Sequence, residues 1–249
     1  VSTRRGAALL PSALWGLVTS LADARSRPEG PLFLAAAVGT ELAKAVDHSR
    51  LEHLTKPLIA PAALAVALRG GRPAGVDTAL LGLAGAAYTA GDVVLMRGDG
   101  HHGSIGRLAR GAGAFGVGHL ALVALLWRAG VRPAPAHAAV QALPTLGSAA
   151  YLLGERGGAA LTAYPVVLSA LSTLATSALP GATDPARALL AAGGPVFQLS
   201  DALILVRRRL RTGSVAARAV DVAVIDTYAL ACLLLLTGAA GVARAGRRP

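Results

Sequence analysis

Ala188-Leu189-Leu190-Ala191-Ala192-Gly193-Gly194-Pro195-Val196-Phe197-Gln198-Leu199-Ser200-Asp201-Ala202-Leu203-Ile204-Leu205-Val206 holds a single charged side chain, Asp201. An apolar run of this kind, about 20 residues long, is what a helix needs to cross the hydrocarbon core of a bilayer. Outward from it the same texture recurs. Apolar runs cover 31–47, 56–70, 76–96, 112–128, 134–153, 158–179 and 219–242, parted by short breakers such as Gly70-Gly71-Arg72-Pro73, Arg132-Pro133, Gly157-Gly158 and Pro180-Gly181. The pattern predicts an all-α, polytopic transmembrane helical bundle of about eight spans. Strands are excluded, because open sheet edges cannot sit in lipid.

Composition agrees. Of 249 residues, 54% are hydrophobic and only 15% charged, where a soluble domain carries roughly 25% charged residues. Aromatics are 4%, so the apolar mass is Ala, Leu, Val and Gly, which suits helices that approach closely through small residues. The net charge of +11 does not point to nucleic acid. Its arginines sit between apolar runs, at Arg69 and Arg72, Arg128 and Arg132, Arg207 to Arg211 and Arg244 to Arg248, where they are expected to anchor helix ends at headgroups. No aromatic platform or recognition motif stands beside them. The partner implied is the lipid bilayer, and oligomeric state is not readable. Arg outnumbers Lys in an Ala- and Gly-rich chain, as in GC-rich bacterial genomes, which suggests a bacterial inner membrane. Cys232 is the single cysteine, so no intrachain disulfide exists.

One domain is expected over 31–243, followed by a basic tail at 244–249. Residues 1–30 are ambiguous: Arg4 and Arg5 precede a short apolar run, as in a signal peptide. No clear small-residue cleavage site precedes Asp23-Ala24-Arg25-Ser26-Arg27, which favours an extra or interfacial helix. The Lys and Arg balance across the loops is nearly even, with a lean towards loops after odd-numbered spans being cytoplasmic in a nine-span count.

Ionisable groups within spans are costly and by default mark function. Those here are Glu41, Asp92, His119, Asp201 and Asp226, with Lys56 at a span start. Successive spans alternate direction, so ends of odd spans and starts of even ones share one side. Counted from those ends, Glu41, Asp92 and Asp201 lie roughly 6–9 Å inside the same boundary at a helical rise of 1.5 Å. His119, Tyr164, Asp226 and Tyr228 fall on that side too.

Each residue also has a plain structural reading. Asp92 and Asp201 could fix helix register, Glu41 could pair with Lys44 at i,i+3, and Asp226 could be a packing residue. His119 could be a hydrogen-bonded core histidine, and Lys56 could snorkel to headgroups. Gly111, Gly113 and Gly116 match G-x-G-x-x-G, but without a strand and a parallel sheet they denote close helix packing. Asp99, His101 and His102 lack metal-ligand spacing.

At these residues the chain resembles the YhhN family of membrane lysoplasmalogenases, over about 31–243. The resemblance rests on Thr55-Lys56-Pro57, Ala90-Gly91-Asp92, Phe115-Gly116-Val117-Gly118-His119, Tyr164-Pro165, Gly193 to Asp201 and Thr227-Tyr228-Ala229-Leu230-Ala231. In the last motif the family commonly has a second Tyr and a Gln where this chain has Ala229 and Cys232. Asp226 is not a family position.

The resemblance implies cleavage of the vinyl ether of a lysoplasmalogen, giving a fatty aldehyde and a glycerophospho-base. Such an ether is hydrolysed by protonating its β-carbon, adding water to the oxocarbenium ion, and collapsing the hemiacetal. A protonated carboxylic acid and an ionised carboxylate divide that work. Asp92 and Asp201 are the expected catalytic pair, roles open between them. His119 and Tyr228 would orient them, with Tyr164 and Ser200 in support, and Lys56 would meet the substrate phosphate. No metal or organic cofactor is required. Two other readings use the same residues: a proton-coupled transporter or lipid flippase, and a non-catalytic scaffold.

Overall fold

A computed structural model describes residues 2–22, 27–96, 105–180 and 184–246. Every regular element among them is helical: α1 (Ser2–Ala22), α2 (Glu29–Ala45), α3 (Ser49–Thr55), α4 (Ile59–Ala67), α5 (Val76–Met96), α6 (Ile105–Arg128), α7 (Pro135–Leu153), α8 (Ala163–Ser177), α9 (Pro185–Arg207) and α10 (Val215–Ala245). Tight turns of 3₁₀ helix lead into α4, at Lys56–Leu58, and into α8, at Gly158–Leu161. Asp99, His101 and His102 lie outside the described residues.

Five segments are long and apolar enough to cross a bilayer: α5, α6, α8 with its leading turn, α9 and α10. Among the described residues that count, taken on length and composition, does not confirm the expected eight. α2 has 17 residues and α4 nine, while α7 is diluted by His137, Gln141 and an internal Pro144. The second expected span, 56–70, opens on a 3₁₀ turn and is α-helical over Ile59–Ala67, with α3 leading into it across a break. Pro57 has no N–H and its ring crowds the carbonyl one turn back, so the α ladder stops at Thr55 and resumes at Ile59. α6 starts at Ile105, about two turns before the expected 112, so Arg107 and Arg110 ride on a helical extension.

Helix starts follow ordinary capping chemistry. Asp184 and Ser214 accept from the backbone N–H groups of Ala186 (2.9 Å) and Ala217 (3.1 Å), and prolines open α7 and α9. Residues 2–22 add a helix whose Ala13, Leu17 and Leu21 are buried in the bundle core.

Four of the arginines expected at headgroups staple helix ends together. Arg69 pairs with Glu29 (2.5 Å), Arg128 with Asp77 (2.9 Å) and Arg207 with Asp221 (2.8 Å). Arg244 donates to the carbonyls of Ala67 (3.2 Å) and Gly71 (2.9 Å). Each tie joins ends that strict alternation puts on one face, in keeping with an up-and-down order for the helices so joined: α2, α4, α5, α6, α9 and α10. Lys44 is likewise committed to Glu52 of α3 (2.7 Å), not to Glu41, because α3 folds back over the end of α2.

Small residues set the closest approaches. A Cβ on Gly238 of α10 would lie 2.6 Å from the Leu190 backbone of α9, and one on Gly91 of α5 would lie 2.6 Å from the Phe115 ring of α6. Large apolar side chains cover the outside instead, including Leu143 (77% exposed) and Trp15 (71%). That is a surface suited to lipid and not to water. Gly238→Val should overpack the α9–α10 contact by about 1–3 kcal/mol and lower the thermal midpoint of detergent-extracted protein. Gly82→Ala, which meets nothing within 4 Å, should leave the midpoint unchanged or raised.

Candidate functional site

Six helices, α5 to α10, enclose a cavity with about 930 Å³ of empty space, counting its mouth. The wall is largely apolar. Its polar side chains are Lys56, Asp92, Thr145, Ser148, Tyr164, Gln198, Ser200, Asp201 and Tyr228. Every expected site residue except His119 lines it.

Asp92 reaches the cavity from the last turns of α5 and is almost completely buried. Its Oδ2 accepts from the Tyr228 hydroxyl at 2.5 Å, and its Oδ1 lies 3.7 Å from Lys56 Nζ. The break at Pro57 explains the second contact. Lys56 stands in the 3₁₀ turn between α3 and α4, where the chain bends and the side chain, 13% exposed, turns inward. Lys56 thus forms an ion pair with Asp92, where its plain structural reading had it snorkel to headgroups.

Asp201 reaches the same cavity from α9 with a different set of partners. The Tyr164 hydroxyl is within hydrogen-bonding range of its carboxyl group, while Oδ2 is buried with no partner among the described residues. No cation touches it there. Ser200 turns away to donate to the Val224 carbonyl of α10 (3.1 Å), a tie between helices.

His119 sits behind the wall, fully buried. Its Nδ1 faces the Tyr88 hydroxyl at 2.9 Å and its Nε2 the Tyr164 hydroxyl at 3.2 Å. The edge-on Phe197 ring lies 4.6 Å away, centroid to centroid.

Glu41 and Asp226 stay outside. Asp226 is exposed on the outer face of α10, and neither it nor Glu41 of α2 lines the cavity. Among the described residues, no group of three or more His, Cys, Asp or Glu is arranged to hold a metal ion.

The model of the YhhN family matches residues 51–239. The chain belongs to the YhhN family. No curated protein and no solved structure matches the chain. The YhhN match covers every cavity residue, and it leaves out α1 and α2. At the position where the YhhN resemblance leads one to expect Gln, Cys232 is fully buried and within hydrogen-bonding range of Tyr228, behind Asp92 and not on the cavity wall.

Sequence reasoning missed Tyr88 and Phe197 as members of this site. A signal was available. The chain has three Phe, two Trp and four Tyr, and Tyr88, Phe115, Tyr164, Phe197 and Tyr228 all gather around His119 and Asp92 through ring contacts. Tyr88 also stands four residues before Asp92, on the same helical face.

A buried ion pair predicts strong coupling. Lys56→Met alone should cost about 3–5 kcal/mol by stranding the Asp92 charge. Adding Asp92→Asn should restore much of the lost thermal midpoint, so that the double variant loses less than the two singles summed.

Proposed function

We propose that this protein is a lysoplasmalogenase-like ether hydrolase of a bacterial inner membrane. It cleaves the vinyl ether of a lysoplasmalogen into a fatty aldehyde and a glycerophospho-base. The observation that carries the reading is one apolar cavity holding two aspartates with unlike partners. Membership in the YhhN family supports it.

The partners suggest the division of labour. Asp92, against an ammonium and a hydroxyl donor, is the ionised member. Asp201, with a free Oδ2 and no cation in contact, is the acid. Asp201 delivers its proton to the β-carbon, leaving an oxocarbenium ion at the α-carbon that the Asp92 carboxylate stabilises. Asp92 then takes a proton from the water that adds there, giving a hemiacetal. The hemiacetal hydroxyl returns a proton to Asp201 as its C–O bond to glycerol breaks. The departing glycerol oxygen collects the proton held by Asp92, so both groups end as they began. One water is consumed and no redox step occurs.

The alkenyl chain lies along the apolar wall, with the glycerophospho-base towards the ends of α7 and α9. Lys56, beside Asp92, holds that carboxylate ionised and is close enough to the polar end of the substrate to meet its phosphate.

Purified protein in detergent, given a lysoplasmalogen, should release aldehyde. Asp92→Asn and Asp201→Asn should each lower turnover by about 10²–10⁴-fold while retaining helix content. Near-normal aldehyde from either variant would refute the assignment. Proton-coupled flux in vesicles without any cleavage would support the transporter reading in its place.

A further inference from the structure

Tyr88 is fully buried and does not line the cavity, and its hydroxyl meets the polar groups of the site only through His119. Its hydroxyl begins a file of polar groups sealed among aromatic rings. Tyr88 meets Nδ1 of His119 at 2.9 Å, Nε2 of His119 meets Tyr164 at 3.2 Å, and Tyr164 meets Asp201. Phe115 and Phe197 close over the file, with ring centroids 5.8 and 5.6 Å from that of Tyr88.

Donor and acceptor bookkeeping gives the file a direction. A neutral imidazole has one N–H donor and one bare acceptor nitrogen, and each phenol has a single proton to give. The His119 ring meets two phenol hydroxyls and aromatic faces, with no carboxylate in hydrogen-bond contact among the described residues to balance an imidazolium. At the far end, an ionised Asp201 can only accept. A protonated Asp201 that carries its hydrogen on the unpartnered Oδ2 still offers Oδ1 as an acceptor. In both states the Tyr164 proton therefore points at Asp201. The Tyr164 oxygen must then accept from Nε2–H, and Nδ1 must accept from Tyr88.

We infer that Tyr88 is a positioning residue: it fixes His119 as the Nε2–H tautomer, which aims the Tyr164 hydroxyl at Asp201. The kinetic consequence rests on the proposed hydrolysis, since a donor held on Oδ1 steadies the carboxylate that forms when Oδ2 gives up its proton. The tautomer itself does not depend on that reading.

The test uses the full chain in detergent with ¹⁵N-labelled histidine. Two-bond ¹H–¹⁵N spectra should show His119 as Nε2–H, its signal identified by its loss in His119→Gln. Tyr88→Phe should shift that signal towards a mixture of tautomers. With a lysoplasmalogen, Tyr88→Phe should lower kcat about tenfold, the worth of one buried hydrogen bond, and leave KM within about twofold. An Nδ1–H tautomer in the unaltered protein would overturn the inference, as would an unchanged spectrum and kcat in Tyr88→Phe. Should Tyr88→Phe not survive extraction, His119→Gln and His119→Leu decide the question. The amide keeps a donor towards Tyr164 and should retain about tenfold more kcat than Leu, and equal losses would overturn the inference. If the unaltered protein releases no aldehyde, the proposed hydrolysis is what fails, and the tautomer spectrum still judges Tyr88.

Discussion

A carboxylate placed among hydrocarbon must find partners inside the protein, because neither lipid nor distant water will solvate it. This constraint organises the heart of the bundle. Asp92 draws in Lys56 from a broken helix and Tyr228 from α10, so one side chain ties three segments far apart in sequence. Asp201 is held more sparingly, through Tyr164, so the two carboxyl groups sit in unlike surroundings within one cavity.

The scaffold serves the contact in a specific way. Helix ends are fastened by Arg69, Arg128, Arg207 and Arg244 to acids and carbonyls of neighbouring ends, which sets the vertical register. Glycines then set lateral distance: Gly91 admits the Phe115 ring and Gly118 the Tyr88 ring, placing the aromatic shell around His119. Register and approach together fix which side chains share a level.

Much of this was legible before any coordinates. The apolar runs give the helices, and span parity puts Asp92, Asp201, His119, Tyr164 and Tyr228 on one side, where the structure gathers them. Parity carries no azimuth, however. It could not separate Asp226, which points outward, from Tyr228 two residues on, which points in. Hydropathy likewise opened a span at Lys56 but could not show that α3 leads into it through a 3₁₀ turn, because that junction is a matter of a missing N–H at Pro57. Tyr88 escaped notice because an uncharged aromatic in an apolar helix looks like core until its hydroxyl is seen to have a partner.

One wall of the cavity has a consequence for how the protein meets its surroundings. α7 supplies Pro144, Thr145, Ser148 and Leu152 to the lining, packs mainly on α8 and α9, and turns Val140, Leu143 and Leu146 outward. A molecule arriving past such a helix comes sideways out of the bilayer without passing through the aqueous phase. For an amphiphile delivered that way, the effective concentration is its mole fraction in the surrounding film. Dilution with inert detergent or lipid then slows encounter as surely as removing the molecule itself.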